Sequence, residues 1–230
     1  MISITASCGH DRWGFATVDE AARAFRSGGF VLIVDDEERE NEGDLTVAAE
    51  HVTAETIAFM ATYGRGLICM PMTGPRLDTL RIPLMIPESV DRGGTAFTVS
   101  VDARGGTSGI SARDRARTVR ALIDPATSPD DLIRPGHLFP LRAAPGGVLQ
   151  RRGHTEASVD LARIAGCFPA AVICEVMKDD GTMARRDDLV IFARRHGICA
   201  ITVDQVVEWR QTHEIPRRQT SDSLAPAYTL

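Results

Sequence analysis

The stretch VLIVDDEERENEGDLTVAA, residues 31–49, sets a dense acidic segment between two apolar runs. The run FVLIVD, residues 30–35, predicts a buried β-strand, and residues 45–49 predict a second strand. Seven carboxylates lie within the ten residues 35–44, namely Asp35, Asp36, Glu37, Glu38, Glu40, Glu42 and Asp44. The sequence therefore predicts two strands joined by a strongly acidic loop.

This acidic loop has two interpretations. A charge run between strands is usually a solvated loop. In extended geometry, however, the four acidic residues at even positions from Glu38 to Asp44 point the same way, and their repulsion is severe without a cation. All-oxygen ligands favour Mg²⁺ or Mn²⁺ over zinc, and Arg39 adds a donor for a phosphate or a hydroxylated substrate. This segment alone leaves a metal site and a solvated hairpin equally open.

Helices and strands alternate along the rest of the chain. Thr17 and Glu20 form a predicted capping box for a helix that ends at Gly28. Further helices are predicted over residues 54–63, 111–123, 155–166, 187–196 and 203–212, and further strands over residues 67–70, 97–102, 171–177 and 198–202. The alternation predicts an α/β fold, a layered domain with a mixed β-sheet flanked by helices. We expect one domain over residues 14–213 and a flexible tail over the Pro-, Ser- and Thr-rich residues 214–230.

Composition excludes several classes of protein. The 230 residues carry a formal charge of −5 with an isoelectric point near 5.7, which argues against nucleic acid as a partner, because a phosphate backbone needs a basic face. No apolar run approaches the roughly 18 residues of a membrane span. Residues 1–10 lack both the basic start and the apolar stretch of a signal peptide. We therefore expect a cytoplasmic protein with no membrane partner.

The usual signatures of several cofactor sites are missing too. Neither G-x-x-x-x-G-K-[ST] nor G-x-G-x-x-G follows a strand-like run, which disfavours nucleoside triphosphate hydrolysis and dinucleotide binding. Lys178 is the only lysine, so a Schiff-base mechanism would depend on it alone. The five cysteines form no C-x-x-C pair, and the sequence therefore implies no structural zinc site.

A second candidate site lies in GGVLQRRGHTEASVDLARIAG, residues 146–166. Arg151, Gly153, His154 and Thr155 come directly at a predicted helix start, where free N–H groups and the helix dipole attract anions. Arg151 can add a fork of donors, and His154 can serve as a metal ligand. The alternative is an ordinary capped helix with an exposed histidine.

Other isolated residues complete the set of candidates. Glu175 lies in the apolar strand AVICEVM, residues 171–177, where burial would raise its pKa toward a value useful in proton transfer. His137 follows a Pro-Gly pair in RPGHLFPLRA, residues 134–143, and could form a proton-transfer pair with Glu175. Thr107 in the glycine-rich loop 105–109 could donate to a phosphate, although a plain strand-to-helix loop explains it equally well.

Taken in order, these motifs resemble the 3,4-dihydroxy-2-butanone 4-phosphate synthase family of riboflavin biosynthesis. The matching segments span residues 16–213 and include VDDEERENEGD (34–44), YGRGLIC (63–69), FTVSVDA (97–103), GISARDRA (109–116), RPGHLFPLRA (134–143), RRGHTEASVDLARIAG (151–166), PAAVICEVM (169–177) and DDGTMARRDDL (179–189). The acidic segment followed by R-x-G-H-T and I-C-E is highly specific in combination.

The resemblance implies a reaction and its cofactor. The family converts D-ribulose 5-phosphate into L-3,4-dihydroxy-2-butanone 4-phosphate and formate, through a metal-stabilised enediolate and a skeletal rearrangement. This implies Mg²⁺ or Mn²⁺, no organic cofactor, and a homodimer with its sites near the subunit interface. This chain resembles the stand-alone form, without the GTP cyclohydrolase II domain that many relatives carry.

The resemblance also implies roles for individual residues. Glu40 and His154 match the metal ligands, and His137 and Glu175 match catalytic positions. The positions that bind substrate or line its pocket are Arg39, Glu40, Asp44, Arg151, Arg152, Gly153, His154, Thr155 and Glu175, together with Asp35, Glu42, Cys69 and Thr107.

Two local departures from the family pattern keep alternatives open. The loop GGTSGIS, residues 105–111, is shorter than the usual loop, and Gly93 stands where the family commonly has an aromatic residue or histidine. One alternative is a paralogue acting on another ketose or pentose phosphate. The other is a catalytically silent sugar-phosphate-binding protein on the same scaffold.

Overall fold

A computed structural model describes residues 14–36, 38–86 and 94–213 of the chain. Glu37, Gly93 and the tail predicted over residues 214–230 lie outside these described residues. Among the helices in the described ranges, none combines the length and the apolar character that a bilayer crossing requires.

Helices and strands alternate along the described chain. The helices are α1 (Val18–Arg26), α2 (Ala54–Phe59), α3 (Gly74–Thr79), α4 (Ala112–Ile123), α5 (His154–Ala165), α6 (Arg186–His196) and α7 (Val203–His213). The strands are β1 (Val31–Val34), β2 (Gly43–Ala48), β3 (Cys69–Thr73), β4 (Val101–Ala103), β5 (Leu132–Ala143), β6 (Ala171–Glu175) and β7 (Cys199–Thr202). They form one seven-stranded sheet in the order β4-β5-β3-β6-β2-β1-β7. Parallel and antiparallel pairs coexist, which confirms the predicted α/β fold with a mixed sheet.

The sheet buries apolar side chains on both faces, because successive residues of a strand point to opposite sides. Val31 and Ile33 of β1 pack in the cluster that contains α1, α5 and α7. Leu32 and Val34 pack in the cluster that contains α2, α4 and α6. With helices on both faces, polar side chains can gather only where the strands end.

Capping explains where the helices begin and end. The Thr17 hydroxyl accepts the N–H of Glu20 at 3.3 Å, and Glu20 Oε2 accepts the N–H of Thr17 at 2.9 Å, so the predicted capping box is confirmed. The helix predicted over residues 155–166, with Thr155 at its start, begins one residue earlier, at His154. Gly153 is the N-cap, and Thr155 lies in the first turn. The sequence signal misled because a threonine before an apolar run resembles a cap.

The region around Pro135 and Gly136 also differs from the prediction. The Pro-Gly pair predicts a turn. In the structure both residues lie within β5, a continuous strand of 12 residues. Gly136 makes this possible, because an added Cβ would overlap the backbone of Val101 and Asp102 on β4. The predicted strand over residues 97–102 is reduced to Val101–Ala103, and α3 has no counterpart in the prediction. Such close approach between strands distant in sequence leaves no local pattern to detect.

We expect Gly136→Ala to lower the free energy of unfolding by roughly 3 kcal/mol, because the overlap is with backbone and no rotamer change relieves it. Urea unfolding followed by circular dichroism measures the change. Gly181→Ala is the matched control, because its added Cβ meets no atom within 4 Å and only its φ of +84° is unfavourable. We expect that control to cost about 1 kcal/mol. Equal losses in the two variants would contradict the steric explanation.

Candidate active site

Two carboxylates face each other across two neighbouring central strands, at the edge of the sheet formed by the strand ends. Antiparallel β2 and β6 pair Asp44 with Glu175 in register. Side chains alternate along each strand, so Asp44 shares a face with Ala48, and Glu175 shares a face with Ala171. Both alanines pack in the cluster that contains α5. The register therefore places the two carboxylates together on the face that α5 covers.

A cleft of about 330 Å³ opens at this edge. Its lining residues come from the acidic loop, four strands, the start of α5 and the segments that precede β4 and α5: Arg39, Glu40, Glu42, Asp44, Cys69, Thr95, Phe97, Leu141, Arg151, His154, Thr155, Ile173 and Glu175. One wall is apolar, because Cys69, Leu141 and Ile173 pack as a cluster of their own. A small cleft with one apolar wall and many convergent polar groups is typical of a site for a small polar ligand.

Asp35 organises the acidic loop. Its buried carboxylate accepts the N–H of Asp36 at 2.8 Å and that of Glu40 at 3.2 Å. Arg39 donates from Nη1 to Asp35 at 2.7 Å and to Glu40 at 2.9 Å. The loop turns back over the cleft, so the expectation that four alternate carboxylates point one way is wrong for Glu38, which is exposed.

The turn brings carboxylates and an imidazole into metal-binding distance. Glu40 Oε2 lies 3.9 Å from His154 Nδ1. One donor atom each from Asp35, Glu40 and His154 lies within 4.8 Å of the other two. Three residues that line the cleft each have a buried side-chain atom without a hydrogen-bond partner: Asp44 Oδ1, His154 Nε2 and Glu175 Oε2. Buried polar atoms without partners are costly, and an oxygen-rich set with one imidazole suits a hard divalent cation.

Burial also shifts the acid–base properties of the cleft. It raises the pKa of Asp44 well above its usual range, and the charge of Glu40 adds to the rise. Burial raises the pKa of Glu175 to about 7, and the facing Asp44 adds to it. Burial lowers the pKa of His154, which keeps the imidazole neutral and able to bind a metal. Glu175 can therefore hold and release a proton near neutral pH, and Asp44 keeps its proton to a higher pH than a free aspartate.

The start of α5 forms the anion-attracting wall of the cleft. Arg151 donates from Nη1 to Glu156 at 2.5 Å and from Nη2 to Thr95 at 2.9 Å, so its guanidinium is fixed. Gly153 caps the helix without a side chain, and Thr155 in the first turn is buried against the cleft. Free N–H groups at the helix start and a fixed guanidinium together suit a phosphate group.

Two of the predicted substrate-binding residues have other partners. Arg152 has a 63% exposed side chain and contacts Asp204 of α7 at 3.3 Å. Thr107 donates its hydroxyl to Asp114 Oδ2 at 2.6 Å, within the loop that precedes α4. Neither Arg152 nor Thr107 is among the described residues that line the cleft.

His137 belongs to a separate pair with Asp102. Its Nδ1 lies 2.7 Å from Asp102 Oδ2, and its backbone N–H donates to Asp102 Oδ1 at 2.9 Å. Asp102 is nearly buried, whereas the His137 side chain is 45% exposed. Among the described residues of the same chain, His137 does not line the cleft that contains Glu175.

Sequence reasoning missed Asp102, although a usable signal was present. Asp102 ends the alternating run FTVSVD, and a carboxylate in an apolar strand is the same signal that singled out Glu175. It also missed Glu156 and Thr95, which hold Arg151. Glu156 resembles an ordinary first-turn helix residue, and its contact with Arg151 depends on how the chain turns before α5.

Comparisons with known proteins agree on one family. The family model of 3,4-dihydroxy-2-butanone 4-phosphate synthase matches residues 19–209. The 3,4-dihydroxy-2-butanone 4-phosphate synthase of Agrobacterium fabrum is 54% identical over 195 residues, which cover 84% of this chain and 92% of that protein. The riboflavin biosynthesis protein RibBA of Aquifex aeolicus is 55% identical over 207 residues, 89% of this chain, and the chain spans 51% of that relative's length.

Solved structures show the same fold. A crystal structure of 3,4-dihydroxy-2-butanone 4-phosphate synthase in complex with two magnesium ions is 45% identical, with a TM-score of 0.81 over 86% of this chain and 98% of that one. The two-domain synthase RibBX of A. baumannii is 48% identical, with a TM-score of 0.84 over 86% of this chain and 59% of that one.

The raised pKa of Glu175 predicts how stability depends on pH in metal-free protein. The pKa is about 7 in the folded state and about 4.5 in the unfolded state, so the folded state binds the proton more tightly. The free energy of unfolding therefore falls as the pH rises from about 4.5 to about 7. Near pH 8 we expect Glu175→Gln to be more stable than the wild type by on the order of 2 kcal/mol, and near pH 4 we expect no difference.

Urea unfolding in EDTA across this pH range measures the effect. Glu208→Gln, an exposed glutamate of α7, is the matched control and should show no such pH-dependent gain. A stability difference at Glu175 that stays constant from pH 4 to pH 8 would contradict the assignment of the buried proton.

Proposed function

The chain belongs to the 3,4-dihydroxy-2-butanone 4-phosphate synthase family, and we propose that it converts D-ribulose 5-phosphate into L-3,4-dihydroxy-2-butanone 4-phosphate and formate. The observation that carries the proposal is the pair Asp44 and Glu175, which face each other in a cleft whose opposite wall is the start of α5. Asp44 and Glu175 can accept and donate protons, and the start of α5 can bind a phosphate. A phosphorylated ketose needs both.

Glu40 and His154 would hold a divalent ion in this cleft, and Asp35 lies within the same cluster of donors. The oxygen-rich donor set favours Mg²⁺ or Mn²⁺. Such an ion supplies electrostatic stabilisation of the negative charge that an enediolate carries. The proposed reaction needs no organic cofactor, because substrate and products are at the same overall oxidation level.

The start of α5 orients the substrate. Arg151 and the free N–H groups of the first turn bind the phosphate, while Gly153 lets the backbone approach it closely. Arg39, already paired with Asp35 and Glu40, lies where it can donate to substrate hydroxyls. These contacts fix the sugar chain along the cleft, with its reacting carbons beside the carboxylates.

Asp44 and Glu175 exchange the protons of the reaction. The C3 proton must be removed, the C1 hydroxyl must leave as water, and C4 must depart as formate after C3 and C5 are joined. The water lost at C1 is regained when formate is released, so the atoms balance. Because the pKa of Glu175 is about 7, the group is present as base and as acid at neutral pH, and it can accept a proton in one step and return it in another.

His137 acts from a second copy of the chain in this proposal. The His137–Asp102 pair lies outside the cleft of its own chain. The exposed Ile133 is opposite Asp102 in the register of β4 and β5, and the exposed Ile110 follows Gly109, which packs against the pair. Exposed apolar side chains around a polar pair are typical of an interface. We therefore infer a homodimer in which each His137 reaches the partner's cleft, oriented by Asp102.

We also infer that residues 14–213 form one catalytic domain, since the family match and every described strand of the sheet fall within that range. A cytoplasmic location is proposed on chemical grounds, because a sugar phosphate carries charges that do not cross a bilayer unaided.

Formate release from ribulose 5-phosphate and Mg²⁺ tests the proposed reaction directly. We expect EDTA-sensitive formate together with the four-carbon ketone phosphate, identified by NMR. Glu175→Gln should fold normally and lose at least about 100-fold in turnover, because the position loses its transferable proton. Release of formate unchanged by EDTA would contradict the metal requirement. If the metal-loaded wild type released none, ribulose 5-phosphate would not be its substrate, and other ketose and pentose phosphates would be assayed in the same way.

Mixing two inactive variants tests the contribution of the second copy. Dissociated and reassociated chains of His137→Ala and Glu175→Gln form mixed dimers in which one cleft contains both intact residues. We expect about a quarter of wild-type formate release, since half of the dimers are mixed and each has one complete site. A mixture of Asp44→Asn with Glu175→Gln is the control and should stay inactive, because both residues lie in the same cleft. No recovery in the first mixture would contradict the proposed exchange.

A further inference from the structure

A second cluster of metal-binding side chains lies at the opposite end of the sheet. Ala48 and Ala171 are the last residues paired between β2 and β6. Just past them, the two segments stay connected, because the N–H of Ala49 donates to Ala170 O at 3.1 Å. This attachment brings Glu50 and His51, in the turn after β2, next to Cys167, which follows α5.

The three side chains converge on one point. One donor atom each from Glu50, His51 and Cys167 lies within 4.8 Å of the other two, and His51 Nε2 is 3.7 Å from Glu50 Oε1. Among the described residues, buried His51 Nε2 has no hydrogen-bond partner, and Cys167 is a free thiol. In a tetrahedral zinc site the donor atoms lie about 3.3–3.8 Å apart, so an adjustment of about 1 Å closes this set around an ion.

The surrounding backbone holds two of these groups in place. Glu50 Oε2 accepts the N–H of Phe168 at 2.7 Å, which fixes the carboxylate and directs Oε1 toward His51. The Cys167 N–H donates to Ala162 O at 2.9 Å, which fixes the thiol at the end of α5. Gly28 packs against the His51 side chain, where an added Cβ would lie 3.3 Å from the histidine Cβ. The cluster is therefore preorganised rather than formed by loose surface chains.

We propose that Glu50, His51 and Cys167 form a second metal site that binds Zn²⁺, with water as the fourth ligand. One sulfur, one nitrogen and one oxygen donor suit zinc and other borderline ions, whereas the active-site cleft offers mainly oxygen. The residues from Asp44 to Ala48 of β2 separate the two clusters by roughly 13 Å, so one ion cannot serve both. The ion would tie the end of β2 to the end of α5, whose first turn forms the phosphate-binding wall.

Zinc binding at this site displaces a proton. Burial raises the pKa of the Cys167 thiol, and the charge of Glu50 and a hydrogen bond to it add to the rise, while Arg26 acts in the opposite direction. The thiol is therefore protonated at neutral pH in the metal-free protein. When the sulfur–zinc bond forms, the S–H bond breaks and the proton goes to solvent.

Co²⁺ is the probe for this site, because a cobalt–thiolate bond gives an intense near-ultraviolet charge-transfer absorption. The full chain is stripped of metal, kept in a phosphine reductant, saturated with Mg²⁺ and titrated with Co²⁺. We expect the absorption to saturate at one Co²⁺ per chain and to disappear when Zn²⁺ is added. Zn²⁺ should also raise the thermal unfolding midpoint of the wild type, because it binds only the folded state.

Cys167→Ser should abolish the absorption and the thermal shift, and His51→Ala should weaken Co²⁺ binding at least about tenfold, since each removes one of three ligands. Formate release by Cys167→Ser should match the wild type. Cys69→Ser is the control, because Cys69 is the thiol that lines the active-site cleft, and this variant should keep the absorption. An absorption that survives in Cys167→Ser, or its absence in folded wild-type protein, would overturn the proposal.

Discussion

The register between β2 and β6 is the constraint on which the site depends. It sets Asp44 directly opposite Glu175, on a face covered by α5, where burial weakens the screening of two like charges by water. Such a pair is tolerated only when protons or a cation neutralise it. This register buries the two carboxyls against each other, which raises the pKa of both groups and leaves Asp44 Oδ1 and Glu175 Oε2 without hydrogen-bond partners. A shift of one residue in either strand would turn that strand's carboxylate to the other face and separate the pair.

Protons on Asp44 and Glu175 and a divalent cation in the same cleft would influence each other through their charges. When the two carboxyls hold protons, their mutual repulsion is removed. A cation held by Glu40 and His154, as proposed, would add positive charge beside Glu175 and favour loss of its proton. Metal and proton are therefore coupled through Coulomb interactions across the cleft. The neutral imidazole of His154 fits this coupling, because it can bind a metal without releasing a proton of its own.

Local signals located most of the fold but only part of the site. Caps and apolar periodicity identify α1, β1 and α6 to within a few residues, because these features act within one turn or strand. The path of β5 through Pro135 and Gly136 could not be predicted, because it depends on backbone approach by β4, more than 30 residues away in sequence. The separation of His137 from the cleft depends on the same contact, since β4 supplies its partner Asp102.

The two ends of β2 and β6 show why reactive side chains collect there. Within the strands, every position from Leu45 to Ala48 is buried and the ladder uses the backbone donors, so no polar side chain can be accommodated cheaply beyond a small hydroxyl. Where the strands leave the sheet, side chains keep the rigidity of the ladder but regain access to solvent. At one end, carboxylate oxygens lie beside the start of α5. At the other end, a thiol, an imidazole and a carboxylate lie beside the end of α5. A single helix, α5, thus connects the two clusters.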